Sequence, residues 1–435
     1  MTHPESAPEV LRYPFGEPHL LDLDQRYAGL RDTEGLGRVE VRDLGPAWLC
    51  SRYADVRRIL TDSRFGLTPP ADPATPPDGA GPAADAAARC PVAATGANTA
   101  AAPGREPAPT SAQVTRVTRG GLKPRQIERL RGAAEKTADE LLDRLGRLDP
   151  GGPPGARATT DLMAGFVKPL AAEVLCELLD IPAGERPGVR ARLLGAATTA
   201  SPPSGADHED RRALARRLAE LIAARDPAGR SADDLLSAMI RARGEGEERL
   251  SDRQLVTAAL RLLLPGLQNT VLMLSNFVRA LMHHRSELER LRHRPDLVPS
   301  AVEELIRFTP FHSTSTFPRY ASEDIEVGGT LIRRGEVAVG ALCAANRDER
   351  AFTDPDSFDI GRGENAHLGF GMGTHHCPGA ALARMQLQVA VAALARRVDD
   401  LYVAPVANTR SVHDPGGRVI GWFDPLPATW SAIRP

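Results

Sequence analysis

Apolar residues recur at three- and four-residue steps over most of this chain, and at two-residue steps only near its start and in its last third. The helical period predicts helices over Pro124–Leu148, Thr160–Leu179, Glu209–Ala224 and Ala232–Arg243. Earlier, Arg38–Arg42 alternates and, after a turn around Asp43 and Gly45, is followed by Ala47–Cys50, which predicts a small hairpin. Ser251 with Gln254 three places on is a capping-box pattern, opening a long helix that runs to about His284. A helix over Ser300–Phe308 precedes short strands in IEVGG, LIRRG and EVAVGALC. A last helix spans Pro378–Arg397, ahead of a strand-and-turn tail, and no internal repeat is visible. The expected class is mainly α (α+β), with a large helical region and a small β-rich one.

Leu255–Val278 is apolar enough to raise the question of a membrane span. It contains Arg261, Pro265, Gln268, Asn269 and Asn276, however, and amides clustered in mid-span suit a buried core helix better than lipid. The first residues show no basic segment followed by a long apolar one, so no signal peptide or anchor is expected. From Thr68 to Ala112 the pattern dissolves: Ala, Pro and Gly make up about two thirds of this low-complexity stretch. Residues 68–112 are expected to form a long mobile loop that contributes little core.

Charge and composition then narrow the class. With 54 Lys and Arg against 56 Asp and Glu, the net charge is −2, and no basic stripe offers nucleic acid a footprint. An apolar fraction of 42% suffices for a large core, while aromatics are only 4%. Cys50, Cys90, Cys176, Cys343 and Cys377 form no CxxC pair, so neither a disulfide framework nor a four-cysteine zinc site is suggested. Their odd number fits a reducing, cytoplasmic compartment.

The most specific chemistry lies in FGMGTHHCPGAALAR, Phe370–Arg384, where a glycine-rich loop delivers Cys377 to a helix amino terminus. The unpaired amides and dipole there favour a thiolate, which suits a soft or redox metal. Gly371, Gly373 and Gly379 let backbone approach a large planar group, and Phe370 can shield the sulfur. An inert core thiol is the competing reading; zinc is disfavoured because His375, His376 and Cys377 lack a second ligand cluster.

Phe370, Gly373, His375, Cys377 and Gly379 stand in the register Phe-x-x-Gly-x-His-x-Cys-x-Gly, and here the sequence resembles the cytochromes P450 of the soluble bacterial type. Glu304 and Arg307 supply the family's Glu-x-x-Arg element about seventy residues before the cysteine, and Arg362 in FDIGR matches its third partner. The resemblance implies a single P450 domain over residues 1–435, with haem b between the long helix and the Cys377 loop. It implies Cys377 as axial thiolate, whose electron donation assists O–O cleavage, with His375 and Arg319 on haem propionates. It also implies O2 and electrons from NAD(P)H, delivered through ferredoxin and ferredoxin reductase to a monomer that oxidises a small-molecule biosynthetic intermediate. Hydroxylation or related monooxygenation is expected; oxidative coupling or desaturation without insertion is the alternative, and a haem-binding sensor or interaction protein without turnover is the alternative of another class.

Two stretches depart from the family. Where its long helix carries Ala-Gly-x-(Asp or Glu)-Thr, this chain has Pro265, Gly266, Leu267, Gln268 and Asn269, with Thr270 one place late. One place is about a hundred degrees of helix. Amides orient water but do not titrate at neutral pH, so proton delivery through Gln268, Asn269 and Thr270 differs from the family's. Alternatively, the amides satisfy carbonyls freed by Pro265. The second departure lies before Pro124, where Ser111 and Gln113 replace a His and an Arg that bind the other propionate; Arg116 or Arg119 could substitute. By position, the substrate pocket is expected around Leu262, Gly266, His312 and Thr314.

Overall fold

The computed structural model describes residues 11–15, 21–41, 44–70, 106–147, 158–197, 205–226, 233–310, 318–404, 411–413, 419–421 and 425–435. Its axis is the helix Asp252–His283, 32 residues long. Ser251 and Gln254 form the capping box: the Gln254 amide N–H donates to Ser251 Oγ at 3.2 Å, and the Ser251 N–H donates to Gln254 Oε1 at 3.0 Å. Its apolar residues, among them Leu263, Leu267, Val271, Leu274 and Phe277, are buried in one large core. Around it pack the helices Lys168–Leu178, Arg186–Ala196, Gly205–Ala223 and Ala380–Arg397. By length and apolarity alone it is the one helix among the described residues that could cross a membrane. Its burial against these neighbours is that of a core helix.

The hairpin forms as Gly37–Val41 and Gly45–Cys50, antiparallel, with Val39 opposite Ala47. It belongs to a sheet of six strands, whose order is Leu11–Tyr13, Gly37–Val41, Gly45–Cys50, Val337–Gly340, Pro318–Ala321 and Phe65–Gly66. This sheet brings Arg319, on Pro318–Ala321, to the edge of the helical core. The predicted strands IEVGG and LIRRG pair with each other as Ile325–Val327 and Thr330–Ile332.

Several boundaries differ from the sequence pattern for physical reasons. The helix expected over Pro124–Leu148 is two helices, Pro124–Glu128 and Arg131–Gly146. That expected over Thr160–Leu179 begins as a strand, Ala158–Asp161, paired with Pro427–Trp430 from the chain's end. Asp161 then ends the strand: its Oδ1 accepts the N–H groups of Met163 and Leu426 at 2.9 and 2.8 Å, and the helix proper is Lys168–Leu178. The expected loop 68–112 also ends sooner than predicted. Residues 71–105 lie outside the described residues, but a helix starts at Ser111, because Thr110 and Gln113 make a second capping box. Residues 106–110 before it are held on the long helix, where Ser251 Oγ donates to Glu106 at 2.8 Å and Gln254 Nε2 to the Pro107 carbonyl at 2.9 Å.

Candidate functional site

The loop before Cys377 is closed by its own backbone. The Gly371 N–H donates to the Leu368 carbonyl at 2.8 Å and the Cys377 N–H to the Phe370 carbonyl at 2.9 Å. Gly371 and Gly373 hold φ of +68° and +74°, the left-handed region that side chains avoid. At Gly373 space forbids a side chain as well, since a Cβ there would stand 2.5 Å from the Leu60 carbonyl oxygen. The loop therefore lies directly on the end of the helix Tyr53–Thr61. Phe370 is buried beside the cysteine, and Cys377 itself is partly exposed.

The thiol is not simply acidified by the helix end. Burial pushes the Cys377 pKa above its usual value, and the opposing Gly379 N–H and Arg384 charge do not overcome it. A metal ion bound there would deprotonate the thiol outright.

Beneath the loop, Glu304 and Arg307 are fully buried as a bidentate pair, with Arg307 Nε and Nη2 each 2.8 Å from a Glu304 oxygen. Arg362 Nε reaches Glu304 Oε2 at 3.0 Å. The two arginines spend their remaining donors on carbonyls: Arg307 on Asn346, Pro355 and Ser357, Arg362 on Thr353, Asp354 and Ser357. One carboxylate thus fixes the coil that leads from Asn346 to the cysteine loop. Asn346 continues the tie, its Oδ1 accepting the Leu368 N–H at 2.7 Å.

Arg319 is buried and donates to the Pro318 carbonyl at 3.0 Å. Its charge reaches His375, whose pKa is lowered by burial first and by Arg319 second. Two cation-capable side chains from distant segments converge here, an arrangement suited to an anionic group.

The long helix presents Leu262, Gly266 and Asn269 at steps of four and three, hence on one face. Gly266 and Asn269 are exposed in the middle of the helix, and a Cβ on Gly266 would meet nothing within 4 Å. Gln268 does not share that face, whereas Thr270, four places after Gly266, runs along its edge. Gln268 Nε2 donates to the Ala197 carbonyl at 2.6 Å, tying the long helix to the end of Arg186–Ala196. Thr270 is buried. Of the three expected residues, Gln268 is held by Ala197 and Thr270 is buried, which leaves Asn269 exposed.

The positions matched to the missing propionate ligands, and their candidate substitutes, lie on the helix Ser111–Arg119. Gln113 is occupied by its capping box, and Arg116 pairs with Glu248 at 3.3 Å. Arg119 is exposed at the end of the same helix. His312 and Thr314 lie outside the described residues.

Sequence reading missed three residues that meet behind the loop. Glu303, Arg384 and His367 form a cluster in which Glu303 accepts from Arg384 Nε and Nη2 at 2.8 and 2.9 Å and contacts His367 Nε2 at 3.0 Å. The doubled glutamate in AVEELIRF was the available signal, hidden by the motif that starts at its second member.

The Cytochrome P450 family profile matches residues 213–399. Mycinamicin IV hydroxylase/epoxidase of Micromonospora griseorubida is 36% identical over 430 residues, spanning 98% of this chain and all of that one. The chain belongs to the cytochrome P450 family. Nocardicin C N-oxygenase of Nocardia uniformis subsp. tsuyamanensis is 35% identical over 394 residues, 90% of this P450 and 92% of the relative. Among solved structures, the LnmA cytochrome P450 hydroxylase of the leinamycin pathway of Streptomyces atroolivaceus superposes with a TM-score of 0.75 at 31% identity. That superposition covers 97% of this P450 and all of the other chain.

The protein is accordingly a haem-thiolate monooxygenase that oxidises a small-molecule biosynthetic intermediate with O2 and electrons from NAD(P)H passed through redox partners. The residues present fit haem: a partly exposed thiol at the end of a glycine loop, Arg319 and His375 close together as donors for carboxylates, and open space beyond Gly266.

Proposed function

We propose that this P450 inserts one oxygen atom of O2 into its substrate, and that Asn269 organises the water and substrate hydroxyls that carry protons to the reaction. Cys377 holds the haem, whose chemistry when bound is the activation of dioxygen; His375 and Arg319 hold propionates. Electrons come from a ferredoxin and its reductase, and the enzyme works as a cytoplasmic monomer. The observation that carries this reading is the exposed face of the long helix. It offers Leu262, Gly266 and one amide, and no titratable side chain. An amide both donates and accepts, so Asn269 can hold a water in place, while the protons themselves come from water or substrate. The activities in the names of the two relatives, hydroxylation or epoxidation and N-oxygenation, are all insertions.

Turnover under labelled O2 tests the proposal. One label per product supports it, whereas an unlabelled product two hydrogens lighter identifies coupling or desaturation. NADPH consumption coupled to product in a reconstituted redox chain excludes the binding-only alternative, which predicts no consumption. Replacing the ferredoxin with its apoprotein should stop product formation; undiminished turnover would remove ferredoxin from the scheme.

A further inference from the structure

Glu303 and Glu304 are neighbours on the helix Val298–Phe308 and have separate partners. Glu304 takes Arg307 and Arg362, as described above. Glu303 faces the cysteine helix and binds Arg384 with both oxygens, Oε1 to Nε at 2.8 Å and Oε2 to Nη2 at 2.9 Å. Arg384 in turn lies on Phe370, its guanidinium carbon 4.5 Å from the ring centroid. Phe370 gives its carbonyl to the Cys377 N–H. His367 completes the group. Its Nδ1 accepts the Gly369 N–H at 3.1 Å, so Nε2 carries the proton and donates it to Glu303 Oε2 at 3.0 Å. One carboxylate therefore anchors both arms that flank the cysteine, the loop through His367 and the helix through Arg384.

We propose that Glu303 is a positioning residue for the axial ligand: it pins the Arg384 guanidinium against Phe370 and neutralises a positive charge that otherwise acts on the Cys377 sulfur. The inference rests on Cys377 as the haem ligand. The physical basis is that a partly desolvated cation near a thiolate draws down its electron donation, and a bidentate carboxylate offsets the cation while fixing its place. Arg384 lies against Phe370, the residue whose carbonyl binds the Cys377 N–H, so its charge sits beside the ligand loop. Uncompensated, the same charge would favour the more electron-rich reduced haem and raise its potential.

The test is the reduction potential of the haem-loaded protein, by spectroelectrochemistry, in wild type, Glu303→Gln, Arg384→Gln and the double variant. Glu303→Gln should shift the potential upward, Arg384→Gln downward, and the double variant should lie nearer wild type than either. Glu303→Asp, which keeps the charge, should stay near wild type. The iron–sulfur stretching frequency should fall in Glu303→Gln and rise in Arg384→Gln. Shifts of one sign in both single variants, or no shift, overturn the proposal, since packing damage alone has no reason to follow charge. If Glu303→Gln does not retain haem, the sign of the Arg384→Gln shift decides. The ligand assignment fails separately: wild type itself would then lack the long-wavelength Soret band of a reduced, carbon monoxide-bound thiolate haem.

Discussion

At the scale of single residues, the cysteines separate by environment. Cys50, Cys176 and Cys343 are buried, and burial raises each thiol, to about 12 for Cys176 and about 11 for Cys343. Cys377 alone among the described cysteines is partly open. Replacing Cys377 with Ala should therefore abolish the long-wavelength carbon monoxide band, whereas Ala at any of the other three should preserve it; loss of the band in those variants would reassign the ligand. Glu304 makes a prediction of a different kind. Its carboxylate is wholly buried between Arg307 and Arg362, so Glu304→Gln leaves two cations facing each other in the interior. The expected cost is about 3–5 kcal/mol, read as a fall in the urea midpoint at constant slope. A variant within about 0.5 kcal/mol of wild type would show that solvent or an ion reaches the pair. Both sites were legible in the sequence, because each motif keeps its chemistry within a few residues. Glu303, His367 and Arg384 were not, since three separate segments supply them and only folding sets them together.

Elements explain why the distal residues read differently in sequence and in structure. On the long helix, side-chain direction advances about a hundred degrees per residue, so Asn269 and Thr270 flank Gly266 on opposite sides, Asn269 exposed and Thr270 buried. The sequence showed this offset, but it gave no sign that Gln268 would find Ala197, which lies 71 positions away. The bond has an energetic reason: the last carbonyls of a helix lack intrahelical donors, and the amide fills one such vacancy. A carboxylate, the family's usual group at this place, has no proton to give at neutral pH. Gln268→Glu should thus free the end of Arg186–Ala196, with amide exchange there about fivefold faster for a bond of about 1 kcal/mol. Unchanged protection would assign the helix end to other contacts. The capping box at Thr110 and Gln113 illustrates the opposite case. Its pattern was present in TSAQ, at the edge of a stretch whose Ala and Pro content spoke for loop; local hydrogen bonding outweighed composition.

For the whole molecule, the cysteine helix is held to the Glu-x-x-Arg helix by charges that titrate, and this sets an acid limit. Burial on its own would raise the Glu303 pKa, but hydrogen bonds from His367 and Arg384 outweigh it and bring the carboxyl to about 2 from a usual 4.5. A carboxyl depressed in the folded state stabilises the fold fully above its unfolded pKa, and that contribution drains away as pH falls through the folded value. The window is therefore pH 4.5 down to about 2. Glu303 is mostly buried, so its share is on the order of 1–3 kcal/mol after allowance for solvent screening. Asp62 adds to the same window, since hydrogen bonds from Arg64 lead its own fall to about 2. Urea midpoints measured from pH 6 to pH 3 should fall in wild type and fall less steeply in Glu303→Gln, which has no carboxyl to protonate there. Equal slopes would mean that the Glu303 pair contributes nothing to acid stability, leaving its role to the potential of the bound haem. Unequal slopes would show one carboxylate serving both the fold and the ligand, because the same contact that resists acid also keeps Arg384 in place behind Phe370.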